Sequence, residues 1–253
     1  MLLLAAILLS SFIICKQKKP TLFVIGDSTV KNGKGLGDGG LWGWADFLKP
    51  YFDANKITIE NDALGGTSSR TFQTQGLWDK VLVKIHAGDY VMMQFGHNDS
   101  SPLNDSSRAR GTMKGVGNDS TVIMNLLTKK EEVVHTYGWY MRKFIFDVKA
   151  KGATAIICSP IPRNDWKDGK VNRNGGNNYG GWSAEVAKQT DIFFIDLNSI
   201  TAEKYDVLGQ QKVVPFFPKE HTHTGKEGAE INAASVVTGL RFLKDCPLNN
   251  YTK

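Results

Sequence analysis

The chain has 253 residues, 41% of them hydrophobic and 22% charged, with a formal net charge of +6. That length and balance suit one α/β domain around a single buried core and exclude a collagen, a coiled coil or a disordered chain. Residues 1 to 20 hold three lysines and no acid, so 28 of the 31 basic residues face 25 acids in the remainder, and no Lys/Arg-rich run occurs there. A nucleic-acid partner is therefore not expected.

Residues 1 to 15, "MLLLAAILLSSFIIC", form an apolar run ahead of Lys16, Lys18 and Lys19. The run is short for a membrane span and fits the hydrophobic part of an export signal or an N-terminal anchor, so residues 1–20 are set apart from a single domain at 21–253. The chain is expected to be exported, to the periplasm, the cell surface or the medium. A membrane contact is expected only through that segment, and lipidation of Cys15 is disfavoured because "FII" lacks the small residues of a lipoprotein cleavage site. Cys158 and Cys246 read as buried or unpaired thiols rather than a disulfide framework.

From Thr21 onward, short apolar runs end in polar or Gly/Pro stops: "TLFVIGDST", "KITIEND", "GDYVMMQFGHND", "ATAIICSP" and "DIFFIDLN". Stretches with helical spacing lie between them, among them "GLWGWADFLKPYF", "VVHTYGWYMRKFIFDVKAKG" and "WSAEVAKQT". Alternating strands and helices predict a parallel sheet covered on both faces. Residues 99–132, polar and rich in Gly, Ser and Asn, predict a long loop. At the C-terminal end Thr224 and Glu227 have capping-box spacing, and Ala229, Ala233, Val236, Val237 and Leu240 share a helical face.

In open α/β sheets ligands bind beyond the carboxyl ends of the strands, and four polar turns fall there. Ser28 in "GDST" follows the first strand; it either caps a following helix or lies at that helix's positive end. Gly65 and Gly66 in "NDALGGTSSRTF" permit close backbone approach or simply make a turn. Asn98 in "FGHND" offers a side-chain amide to an oxyanion or closes a turn. In "FFPKEHTHTGKEGAE", Glu220 and His223 are spaced for one loop to hold carboxylate and imidazole together. His221 and His223 as a metal pair would lack a third ligand, since His86, His97 and His135 sit in no ligand motif, so no metal is expected.

The order of these four blocks resembles that of the SGNH (GDSL-like) hydrolases, and "NDALGGTSSRTF", "GDYVMMQFGHND" and "FFPKEHTHTGKEGAE" resemble those of the rhamnogalacturonan acetylesterases, from about Thr21 to the last helix. The resemblance implies a three-layer α/β/α sandwich with a central parallel, flavodoxin-like sheet. It implies Ser28 as nucleophile, His223 as general base and Glu220 as its orienting acid. The Ser28 and Gly66 amides and the Asn98 side chain match the oxyanion hole. The family usually has Asp where Glu220 stands. The implied activity is deacetylation of pectic rhamnogalacturonan or a similar plant cell-wall polysaccharide, by a monomer without cofactors. An SGNH esterase or lipase for another acetylated glycan or acyl ester, and a carbohydrate-binding protein without turnover, are the alternatives. Arg70, Arg163, Asn164 and Trp166 are candidate sugar-binding residues, each balanced against a structural role: an ion pair for Arg70, loop packing for the "SPIPRNDWKDG" segment.

Overall fold

The computed structural model describes residues 19–173 and 178–253. Most of the expected export segment, including Cys15, lies outside the described residues. The strands are β1 (Thr21–Gly26), β2 (Thr58–Asn61), β3 (Tyr90–Gln94), β4 (Ser120–Met124), β5 (Glu131–His135), β6 (Thr154–Cys158), β7 (Trp166–Lys167), β8 (Lys170–Val171) and β9 (Phe193–Ile195). The helices are α1 (Ser69–Thr74), α2 (Leu77–Leu82), α3 (Tyr137–Ala150), α4 (Tyr179–Thr190), α5 (Leu197–Leu208), α6 (Gln210–Val213) and α7 (Lys226–Phe242).

Five strands form one parallel sheet in the order β2-β1-β3-β6-β9, with both neighbours of β1 parallel to it. This is the flavodoxin-like order, in which the chain reverses direction across the sheet between β1 and β3. The pleat sends alternate residues to opposite layers. Leu22 and Val24 pack with Trp44 and the α7 residues Ala233, Val236, Val237 and Leu240. Phe23 and Ile25 pack with Phe72, Trp78 and the α3 residues Met141, Phe144 and Ile145. The sheet is thus covered on both faces in three layers, and Cys158 and Cys246 are buried free thiols within them.

Several predicted elements differ in detail. "GLWGWADFLKPYF" forms two 3-10 segments, Trp44–Phe47 and Lys49–Tyr51, because Gly43 and Pro50 interrupt an α-helix. Residues 99–132 are not all loop: β4 and β5 form an antiparallel hairpin at its far end. The hairpin takes Val133–His135 from the predicted helix, which instead starts at Tyr137 with Thr136 capping it through Trp139 N. The helices α1 and α2 are only six residues each, too short for helical spacing to mark them, and α5 follows its strand without an intervening loop. α7 begins one residue later than its expected capping box: Gly225 is the N-cap, and the Thr224 hydroxyl donates instead to Trp42 O.

Candidate active site

The switch point between β1 and β3 holds the polar turns. Gly26 ends β1 in a conformation that brings its Cα against Val30 and Gln94; a Cβ there would lie 2.6 Å from Gln94 O. The chain then folds into a turn in which Val30 N and Lys31 N both donate to Asp27 O, leaving half-buried Ser28 at its crest. No helix follows Ser28, contrary to the sequence expectation. The glycine-rich stretch from Gly33 to Gly43 carries too large an entropic cost for one, so neither a cap nor a helix dipole acts on this serine.

Beneath the turn lies a buried polar chain. Trp44 Nε1 donates to Gln94 Oε1 at 2.9 Å, Gln94 Nε2 donates to Thr29 Oγ1 at 2.6 Å, and Thr29 Oγ1 donates to Asp27 Oδ1 at 2.7 Å. Each group is fully or nearly fully buried, so each bond would be costly to break. The network ties the residue before Ser28 and the one after it to β3.

The second and third turns converge on Ser28. Gly65 sits beside it, close enough that an added Cβ would lie 3.4 Å from Ser28 Cβ. Gly66 has φ +84°, in the left-handed region that favours glycine, and the space above it is open, with Arg110 Nη1 the nearest neighbour at 3.9 Å from such a Cβ. Asn98, buried, donates one Nδ2 hydrogen to Thr67 O at 2.7 Å, which fixes the amide and leaves its second hydrogen uncommitted. Among the described residues no acceptor meets the amides of Ser28 or Gly66.

The fourth turn brings in the imidazole. His223 Nε2 lies 2.8 Å from Ser28 Oγ, and His223 Nδ1 lies 2.6 Å from Glu220 Oε1. Glu220 folds back over its own loop, so that Oε1 also accepts from His223 N at 2.7 Å and Oε2 accepts from Thr222 N at 2.9 Å. The extra methylene relative to Asp is taken up by this turn. Partial burial raises the carboxyl pKa, but the three hydrogen bonds from His223 and Thr222 outweigh it and hold Glu220 below its ordinary value. The loop is pinned to the core where Trp42 N donates to Thr224 O at 2.9 Å, and to the next rim where Asn164 N donates to His221 O at 2.7 Å. A hydroxyl, an imidazole and a carboxylate in this contact sequence can deprotonate a serine oxygen as it attacks a carbonyl.

The rim residues separate into two groups. Arg70 is fully buried: Nε and Nη2 donate to Glu132, and Nη1 donates to Leu103 O and Gly111 O. It is a structural ion-pair partner and not a sugar-binding group, because no part of the guanidinium reaches solvent. Trp166, partly buried, packs against the small cluster around Tyr205 and Phe217 and donates Nε1 to Asn164 Oδ1, a contact that orders the loop. Arg163 stands apart, half-buried at the edge of a cavity and without a carboxylate within ion-pair distance among the described residues.

Arg110 was missed in the sequence. It arises from the insertion, donates Nη1 to Gly66 O at 3.0 Å and Nε to Ser101 Oγ at 3.1 Å, and its Nη2 meets no acceptor among the described residues. The segment "SSRARGT" has no periodicity to mark it; only the Arg70 anchor and an Asp105 turn, whose carboxylate accepts from Ser107 N, Arg108 N and Ala109 N, place it there.

Comparison with known proteins agrees with this architecture. Residues 24–231 match the model of the GDSL-like Lipase/Acylhydrolase family. A rhamnogalacturonan acetylesterase from Emericella nidulans is 30% identical over 214 residues, 84% of this chain and 81% of that protein. A probable rhamnogalacturonan acetylesterase of Bacillus subtilis, YesY, is 27% identical over 88% of this chain and 93% of its own length. The crystal structure of B. subtilis YxiM superposes with a TM-score of 0.72 at 25% identity, covering 90% of this chain and 58% of that one. With the family model spanning most of the sequence and the fold reproduced in a solved relative, this chain belongs to the GDSL-like lipase/acylhydrolase family of carboxylic ester hydrolases.

Proposed function

We propose that the chain is a serine carbohydrate esterase that removes acetyl groups from pectic rhamnogalacturonan. The observation that carries the chemistry is the unbroken contact from Ser28 Oγ through His223 to Glu220, at 2.8 and 2.6 Å. Support for the substrate comes from relatives named as rhamnogalacturonan acetylesterases, whose sequences align over most of the chain.

In this reading His223 Nε2 accepts the Ser28 proton while Oγ attacks the acetyl carbonyl, and Glu220 fixes the imidazole tautomer and stabilises its charged form. The oxyanion develops between the Ser28 amide, the Gly66 amide and the free Asn98 hydrogen; losing one such donor typically costs roughly 10²–10³ in turnover. His223 then gives its proton to the departing sugar hydroxyl. Water, deprotonated by the same imidazole, releases acetate from Ser28.

The purified protein should release acetate from acetylated rhamnogalacturonan, and Ser28→Ala should abolish that release. Acetate release by the Ser28→Ala protein equal to wild type would remove the serine mechanism. Binding without turnover, even of an activated acetyl ester such as 4-nitrophenyl acetate, would identify a carbohydrate-binding protein instead.

A further inference from the structure

Beyond the carboxyl ends of β3 and β6 lies a small cavity of about 40 Å³ lined by His97, Ser100, Arg163, Asn172, Tyr179 and Asn198, with Gly96, Gly180 and Pro160–Pro162. Some of its polar groups pair with one another, Ser100 Oγ donating to His97 O at 2.9 Å, but two inward ones do not. His97 Nε2 and Asn198 Oδ1 are buried and have no hydrogen-bond partner among the described residues. The Asn198 assignment is fixed by its other end, where Nδ2 donates to Pro160 O at 2.8 Å, so Oδ1 is an acceptor in want of a donor. Burial, reinforced by Arg163 and opposed by Asp27, holds His97 down at about 4, so its ring is neutral and one nitrogen is available to donate. Among the described residues Arg163 is the one cation lining the cavity, and no carboxylate lines it.

A site of this kind has a defined complement. Buried polar groups are normally satisfied, and these require an anion facing Arg163 and His97 with a hydroxyl donor facing Asn198. A carboxylate is the smallest group that meets these requirements. His97 adjoins Asn98 in sequence, and Asn164, next to Arg163, donates its N–H to the His221 carbonyl of the His223 loop, so the lining residues border both the Asn98 turn and the His223 loop.

We infer that this cavity is a subsite for the carboxylate of a uronic acid residue, with Arg163 as its specificity-determining cation. The inference rests on the proposed carbohydrate-esterase reading and narrows it: the preferred substrate is an acetylated glycan carrying a free uronate at or beside the acetylated sugar, and neutral acetylated glycans are poorer substrates.

The test compares acetate release from acetylated rhamnogalacturonan oligosaccharides with free carboxylates and from the same oligosaccharides with those carboxylates methyl-esterified. Wild type should prefer the free acid by about tenfold in kcat/KM, carried mainly by KM, as loss of a charge-assisted hydrogen bond predicts. Arg163→Gln should bring that ratio close to one, and Arg163→Lys should restore part of it. An equal rate on both forms by wild type, or an undiminished preference in Arg163→Gln, overturns the subsite. If wild type hydrolyses 4-nitrophenyl acetate but releases no acetate from either oligosaccharide, the pectic reading fails, and the subsite is judged by inhibition of 4-nitrophenyl acetate hydrolysis. Galacturonate inhibiting more strongly than galactose, with the difference lost in Arg163→Gln, then sustains it. Equal inhibition by the two sugars overturns it.

Discussion

Two loops reach the Ser28 rim, and they are held in opposite ways. The insertion after β3 is fastened from inside: the fully buried Arg70 makes four hydrogen bonds, two to Glu132 and two to carbonyls at Leu103 and Gly111. The loop carrying His223 is held by backbone bonds, Trp42 N to Thr224 O and Asn164 N to His221 O, and is shaped by a Glu220 side chain that is 42% exposed and bonds to groups at most three residues away. A charge in the interior cannot lose its partner without leaving an uncompensated ion, whereas a charge at the surface falls back on water. The first loop is therefore where stability is concentrated, and the second is where turnover can be altered at little structural expense.

Glu220→Ala offers the widest expected separation between the two. Steady-state kinetics on 4-nitrophenyl acetate should show kcat reduced by about 10²–10⁴, since the imidazole loses its orienting carboxylate. Chemical denaturation should show a stability change within about 1 kcal/mol, as for an exposed ion pair. Glu220→Asp should retain most of the rate; equal rates in wild type, the Ala variant and the Asp variant would show that Glu220 does not act through His223.

The reverse pattern is expected of Arg70→Met. Stability should fall by about 3–5 kcal/mol in urea or guanidinium unfolding, because Glu132 keeps only the Asn125 amide as a donor and two carbonyls lose theirs. A loss below about 1 kcal/mol would mean that the insertion is held by something other than this ion pair.

Asp99 adds a pH dimension to the buried loop. Burial, against hydrogen bonds from Ser69, pushes its carboxyl up from 3.8 to about 7. Between those values the folded chain keeps a proton that the unfolded chain has released, so this group makes stability fall as pH rises from about 4 to 7. His97, held down at about 4, works in the opposite direction: its contribution is lost as pH falls from about 6.5 to 4. Asp99→Asn leaves His97 in place, so the difference in unfolding free energy between variant and wild type isolates the carboxyl. It should shift in the variant's favour by on the order of 2–4 kcal/mol between pH 4 and 8. A difference independent of pH would assign Asp99 an ordinary pKa.

The smallest effect is expected where the two loops come closest in function. Arg110→Ala removes the guanidinium from Gly66 O and should lower kcat/KM severalfold, about 1 kcal/mol, with stability nearly unchanged. A large loss of stability would place Arg110 with Arg70 as a structural anchor.

The sequence alone determined the layered parallel sheet, because each strand is a local apolar run with a local stop, and the α7 face, because Ala229, Ala233, Val236, Val237 and Leu240 repeat at helical period, and all five are buried. It also marked the four polar turns, whose chemistry is carried by residue type and order. What it did not determine were elements whose conformation depends on distant partners: the β4–β5 hairpin, the 3-10 segments where a helix was expected, and the short α1 that carries Arg70. The contact between Ser28 and His223 spans 195 residues, the Trp44–Gln94 bond 50 and the Arg70–Glu132 pair 62. Whether Arg70, Arg110 or Arg163 meets a carboxylate, a carbonyl or an empty cavity is decided by that folding. A guanidinium has the same local sequence preferences whichever it meets, so only its tertiary surroundings distinguish the anchor from the group left free to bind.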